Sequence, residues 1–434
     1  MAELRPLRGW RFALSDMEHL GARLAPPYDV ITPEQREALE ASHPYNIIHI
    51  DLPREGDGLD RYTRAATLLR EWQEKGVLIQ EPAPALYVLE QRYRLPNGQE
   101  RVRMGLIGLL RLVPWGQGVL PHERTFPHAK ADRLALLAAT RAQVNPIFML
   151  YSDPAGEVMH PLLAARPEVP TAVGGDLGDE AIILRLWAVT DPQAIAAACA
   201  AMAPRTLYVA DGHHRYETAL TYQRQQGERN GAPSDASYHY TLIYAVAMED
   251  PGLTILPTHR CLHDVPDFDA DRLLSALEHY FEVTHYDPEV ELLGELHKAS
   301  RLDRVFGLVL AGRPGGYLLR LRPSASTFRT LLAQHHPAIA ELDVAVLQSL
   351  VLNPILGIGH EGHEQHRFID FEPRAQCAIA GVRAGRYQAA FLLVPTQLNQ
   401  LRAIAEAGQV APPKATFFYP KVPSGLVIYD MNHT

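Results

Sequence analysis

Long apolar runs are missing from this chain of 434 residues. No window approaches the roughly 18 uninterrupted apolar residues of a membrane span, which excludes a bilayer-spanning helix as the organising element. Cysteine is scarce. Cys199, Cys261 and Cys377 are three in number and far apart, which fits neither a disulfide framework nor a thiolate metal site and suits reduced thiols. An excess of positive charge is also lacking: 41 Lys and Arg stand against 50 Asp and Glu, a formal net charge of −9. Nonspecific nucleic-acid binding needs a clustered positive surface that displaces counterions, and this balance argues against it. There is no low-complexity tract and no internal repeat. No Gly-x-x-x-x-Gly-Lys-Ser/Thr run occurs, so a P-loop kinase is excluded on motif grounds. Met1 to Arg11 carries Arg and Glu in place of an apolar signal core, and the expectation is a soluble, cytoplasmic protein.

What is present is an ordinary globular composition, 47% apolar and 21% charged, long enough for two or three domains. Ala25-Pro26-Pro27-Tyr28-Asp29-Val30-Ile31 enforces an extended turn, and Thr32-Pro33-Glu34 supplies a helix start with proline at the first helical position. Tyr62, Ala66, Leu69 and Trp72 recur at helical spacing over 60–75. Alternating stretches at 85–93 and 102–112, split by Asn97-Gly98, read as a hairpin. A strand near 180–189, an Ala-rich helix at 193–202 and a strand at 206–210 follow. Farther on, a strand at 240–248, a helix at 270–280, a hairpin of 305–311 with 317–321, helices at 339–352 and 397–407, and strands at 377–382 and 389–394 are expected. Such a mixed order favours α+β with mixed sheets over a regularly doubly wound sheet.

Three stretches carry chemistry. In Tyr208-Val209-Ala210-Asp211-Gly212-His213-His214-Arg215, an apolar strand passes through a turn into a helix. Gly212 lets the backbone turn without a Cβ penalty, and the first helical N–H groups lack intrahelical partners and can face a phosphate. Arg215 is suited to fork onto phosphate oxygens, with His213 and His214 beside it, and Asp211 is placed to hold Mg2+ that bridges them. The plainer reading is an Asp-Gly turn before a helix with solvated His and Arg. The second stretch is Pro121-His122-Glu123-Arg124 with Lys130, Asp132, Arg133 and Arg141 behind it; Glu123 is a candidate base or a surface partner of Arg124 or Lys130. The third, from Pro412 to Gly425, is too rich in proline to be helical. Its Lys414, Thr416, Lys421 and Ser424 offer ammonium and hydroxyl donors to a carboxylate or phosphate, or are solvated side chains of a structural loop.

Together, in this chain order, Pro121-His122-Glu123, Asp211-Gly212-His213-His214-Arg215 and Pro413-Lys414-Ala415-Thr416 resemble the SerK-like free L-serine kinases, whose phosphate-gripping box lies in a ParB-like nucleotide-binding core. The three motifs cover only a few dozen residues. The resemblance implies a kinase that moves a phosphoryl group from ATP or ADP to a free small molecule, with L-serine the implied acceptor and O-phospho-L-serine the product. Glu123 then matches the family's catalytic carboxylate, with His122 beside it orienting it or touching the donor. Ala415 departs from the family, which has a hydroxyl residue there, and this bears on the substrate more than on the reaction type. A nucleotide-binding switch without turnover and a nucleotide hydrolase stay open as alternatives. The expected partners are nucleotide and small-molecule substrate, with no nucleic acid and no membrane. Three segments are expected: 1–155 with the Pro-His-Glu loop, 156–265 as the ParB-like core, and 266–434 as an α/β portion with the substrate loop.

Two further patterns are set aside. Gly357-Ile358-Gly359-His360-Glu361-Gly362 matches a dinucleotide fingerprint by letter, but the polar run after it does not make the packed helix that fingerprint requires. His360, His363 and His366 never give the His-Glu-x-x-His spacing of a zinc peptidase.

Overall fold

A computed structural model describes residues 2–13, 20–123, 127–175, 182–231, 233–322, 331, 333, 335–359 and 367–432, with the backbone alone for 127–129 and 230. Arg124 and the histidines at 360, 363 and 366 lie outside the described residues. The chain packs as two compact units. The first is Met1–Pro121, Thr125–Leu253 and Pro420–Thr434; the second is His122–Arg124 and Thr254–Tyr419.

The first unit is built on a nine-stranded sheet, among the described residues. Its order runs Val119–Leu120, Leu207–Asp211, Ile147–Tyr151, Tyr240–Ala247, Glu100–Arg111, Leu86–Arg94, Ile183–Val189 and Ala172–Gly174, and Leu4–Arg5 pairs beside Glu100–Arg111. Two pairs are parallel, Leu207–Asp211 with Val119–Leu120 and Tyr240–Ala247 with Ile147–Tyr151, while the others are antiparallel. This is a mixed sheet, and the fold is α+β. Strands from both sides of residue 155 share it, so a segment boundary there would cut hydrogen-bonded ladders. Two units therefore replace the expected three segments.

Local chemistry sets the elements. Asp60 caps the Arg61–Glu74 helix by accepting from the N–H groups of Tyr62 (3.0 Å) and Thr63 (3.1 Å), and the helix buries Ala65, Leu69 and Trp72. Thr32 and Gln35 form a reciprocal capping box at the Pro33–Ser42 helix. The hairpin is present as Leu86–Arg94 against Glu100–Arg111, with Gly98 at φ 83° in its turn.

In the second unit, among the described residues, six antiparallel strands lie in the order Phe281–Tyr286, Gly316–Leu321, Val305–Leu310, Ala389–Leu392, His259–Leu262 and Ile369–Glu372. Both faces are covered. Leu262, Phe306, Leu308 and Phe391 join one apolar cluster and Cys261, Val305, Val309 and Ala390 another, as the period-two alternation of a strand requires. One expectation is corrected here: residues 377–382 are not a strand but belong to the Ala375–Arg383 helix. Ala378, Gly381 and Val382 lie three and four apart and turn one face inward, a helical spacing that the short apolar run conceals. The expected helix over 339–352 is divided into Pro337–Ala340, Asp343–Leu347 and a π-turn at Gln348–Leu352.

Candidate functional site

In the first unit the strand Leu207–Asp211 ends at the turn, and Gly212 takes φ 96° and ψ 28°, a left-handed conformation that disfavours any side chain. The helix His213–Asn230 starts at once, with Gly212 at its N-cap position. The positive end of the helix dipole thus lies at the strand end. Arg215 folds back over this turn: a Cβ at Gly212 would lie 2.9 Å from one of its guanidinium nitrogens. The guanidinium donates to the Pro146 carbonyl at 2.7 Å and stands 3.9 Å from the Asp211 carboxylate. His213 is buried and His214 half-buried.

Lys421 reaches the same corner, its Nζ donating to Asp211 Oδ2 at 3.1 Å. Its approach is fixed from behind. Arg103, fully buried over the rings of Phe148 and Tyr244, donates to the Pro420 carbonyl at 2.5 Å, and Gln91 donates to the Lys421 carbonyl at 3.3 Å. Asp211, Gly212, Arg215 and Lys421 are thus brought together. The fit of magnesium at Asp211 is a separate matter. Two cations already face its carboxylate, and among the described residues no three His, Cys, Asp or Glu side chains cluster in a way that holds a metal ion. A magnesium ion at Asp211 would need the phosphate oxygens of a nucleotide beside this carboxylate.

The Pro-rich turn at 25–31 joins the same unit. The Arg133 guanidinium lies 4.3 Å from the centre of the Tyr28 ring. Burial, then the Asp29 charge, push the Tyr28 phenol well above its ordinary range, while Arg215 and Arg133 pull the other way. Arg133 is buried and donates to the Asp51 carbonyl at 2.7 Å and to Asp132 at 2.6 Å. Burial opposes its charge, but Asp51 and Asp132 outweigh that and raise its pKa. Burial likewise opposes the Asp132 charge, and Arg133, Tyr62 and Arg61 hold that carboxyl below the usual carboxylate range. Ser424 is fully buried, its hydroxyl donating to Asp51 at 2.6 Å and accepting from Asn145 at 2.6 Å. The hydroxyl expected to meet substrate is spent inside the unit. Sequence reading missed Tyr28, Asp51, Arg103 and Asn145; only Pro26-Pro27, which stiffens the turn carrying Tyr28, left a signal.

The second unit gathers His122, Glu123, Lys414 and Thr416. His122 is buried, its Nε2 sits 3.0 Å from the Thr416 hydroxyl, and its ring meets Phe418 edge-on. The Ala411 N–H donates to the His122 carbonyl at 2.7 Å, and Glu123 bridges to Ala411. Glu123 Oε1 accepts from the Lys414 N–H at 3.3 Å. Lys414 holds φ 57°, which a residue other than glycine rarely adopts. Ala415, where a hydroxyl residue was expected, is 4% exposed and packs in the apolar cluster with Ala411 and Leu262. A hydroxyl there would enter that core.

The family model described as "Protein of unknown function (DUF1015)" matches residues 4–345. The chain belongs to that family. Solved structures similar to it include a conserved hypothetical protein from Pyrococcus furiosus, 12% identical with a TM-score of 0.34, covering 73% of this chain and 93% of that one. A free serine kinase in complex with AMP is 13% identical with a TM-score of 0.34 and coverage of 72% and 88%. SbnI with a C-terminal truncation, from Staphylococcus aureus, is 9% identical with a TM-score of 0.35 and coverage of 74% and 86%. No curated protein matches the sequence. Among the described residues no helix is long and apolar enough to cross a membrane.

Proposed function

We propose that this chain is a kinase that transfers a phosphoryl group from ATP or ADP to the hydroxyl of a free small molecule, L-serine first among the candidates, giving O-phospho-L-serine. The observation that carries the reading is the Asp211-Gly212 turn, where the start of a long helix lies beside the cations of Arg215 and Lys421. The positive end of a helix dipole and two cations converging on one point suit a di- or triphosphate tail. Gly212, His213, His214 and Arg215 bind the donor phosphates. Lys421 exchanges Asp211 for phosphate oxygen as nucleotide enters, and Asp211 then faces the neutralised tail.

Glu123 is the base in this reading. Its carboxylate takes the proton of the acceptor hydroxyl while that oxygen attacks the terminal phosphorus of the donor, and the bond to the bridging oxygen breaks to release ADP or AMP. Lys414 and Thr416 bind the acceptor, and His122 fixes Thr416 through their hydrogen bond. Ser424 is assigned to the support of the first unit, because its hydroxyl is already bonded to Asp51. No step runs through a metal.

The experiment is a comparison of wild type with Glu123→Gln, measuring nucleotide affinity by calorimetry and turnover with a panel of amino acids. The expected result is a fall in turnover of about 10²–10⁴-fold with nucleotide affinity unchanged. Turnover at the wild-type rate would remove Glu123 from the chemistry. Nucleotide binding with no phosphorylated acceptor would favour the switch, and release of free phosphate alone would favour the hydrolase.

A further inference from the structure

Costly features crowd around Glu123 within the second unit. Arg260 lies in the strand His259–Leu262, paired with Phe371 on one side and Phe391 on the other, so its backbone is held in a ladder from both directions. Its side chain is only 5% exposed, with the guanidinium 5.1 Å from the centre of the Phe371 ring. Burying a guanidinium costs several kcal/mol unless its charge and donors are matched. Among the described residues the matching groups are two carbonyls and one carboxylate. The guanidinium donates to the Thr258 carbonyl and, at 3.2 Å, to the Lys414 carbonyl. Burial pushes its pKa down to about 10, and the charge of Glu123 is the first group that pulls it back.

Lys414 is therefore gripped at both ends of one residue, its N–H by Glu123 and its C=O by Arg260. That grip holds the residue at φ 57°, a conformation that persists only where the surroundings over-determine it. Two more polar atoms stand here: among the described residues, Thr258 Oγ1 and His259 Nε2 are buried without a hydrogen-bond partner. A plain structural core has no need of a buried cation, a left-handed lysine and two unsatisfied polar atoms in one place.

We propose that Arg260 is the positioning residue of Glu123: from a rigid strand it clamps the Lys414 peptide that orients the carboxylate, and its charge keeps that carboxylate ionised and able to accept a proton. The clamp itself stands on geometry, and its catalytic consequence rests on the kinase reading. A base displaced by even 1 Å loses on the order of 10²-fold in rate, which gives such a clamp its use.

The test separates the two. In full-length protein labelled with carboxyl-13C glutamate, Glu123→Gln assigns the Glu123 signal, whose titration is followed in wild type, Arg260→Gln and Arg260→Lys. Arg260 and the Lys414 peptide face Glu123, with His122 next to it in sequence and His259 next to Arg260; His259 is held neutral by burial, with its pKa pushed down to about 3. Loss of the neighbouring cation in Arg260→Gln is expected to raise the Glu123 midpoint by about 1–3 pH units, while Arg260→Lys, which keeps the charge, leaves it near wild type. Both variants are expected to lose about 10–100-fold in kcat with the KM for nucleotide unchanged, because the clamp needs both donors. A Glu123 midpoint that is the same in wild type and Arg260→Gln overturns the proposal. A midpoint that moves in a protein that phosphorylates no acceptor upholds the clamp and rejects the kinase. Should Arg260→Gln fail to fold, Arg260→Lys decides: wild-type kcat overturns the proposal and reduced kcat with unchanged KM supports it.

Discussion

At the residue scale the account depends on Gly212 more than on any charged group. Its φ of 96° excludes a comfortable Cβ, and a Cβ there would meet the folded-back Arg215 at 2.9 Å. Gly212→Ala forces either the turn or the arginine to move, and the left-handed backbone alone costs about 1–2 kcal/mol. The expected outcome is at least about tenfold weaker ATP or ADP binding by calorimetry, since 1.4 kcal/mol is a factor of ten, with helix content by circular dichroism retained. Unchanged affinity would move the phosphate site elsewhere. Lys421→Met is the companion experiment. It removes one cation from the Asp211 corner, and nucleotide affinity is expected to fall by about tenfold and to lose part of its salt dependence.

At the element scale the strand His259–Leu262 carries a pH dependence whose sign follows from burial. His259 is 2% exposed and its Nδ1 accepts from the Leu393 N–H at 3.0 Å, an arrangement that needs the neutral ring. Burial first, then the charge of Arg260, push its pKa down to about 3 from an ordinary 6.5. The unfolded chain therefore binds a proton below about pH 6.5 that the folded chain refuses. The stability this group contributes is fully present above that pH and is lost as pH falls toward 3, at up to roughly 1.4 kcal/mol per pH unit. Urea unfolding between pH 7 and pH 4 is expected to show this slope, and His259→Gln, which keeps an acceptor without the titration, is expected to flatten it. Equal slopes in the two proteins would contradict the assignment. Much at this scale was legible beforehand, because proline, turn residues and apolar spacing act locally: the helix start at Thr32-Pro33, the helix expected over 60–75 and the Asn97-Gly98 hairpin are where the residues place them. The 375–383 helix was not legible, because its apolar run is short and alanine-rich, and such runs give no clear period.

At the scale of the whole molecule the family was readable from three motifs, and the chain does belong to DUF1015. The division into two units was not readable, because the chain enters the second unit at His122–Arg124, returns, and leaves it again at Tyr419. Nor were the supports of the motifs. Ser424 bonds Asp51 across 373 positions and Lys421 bonds Asp211 across 210, and no local pattern announces a partner so distant. Motifs announce themselves by spacing, whereas the side chains that hold them are chosen by packing. The most direct test of the central claim is 31P NMR of the purified protein incubated with L-serine and either ATP or ADP. The account predicts a growing O-phosphoserine resonance matched by loss of the donor's terminal phosphate. A donor that stays intact, or that gives only inorganic phosphate, with no phosphoserine formed, would contradict it.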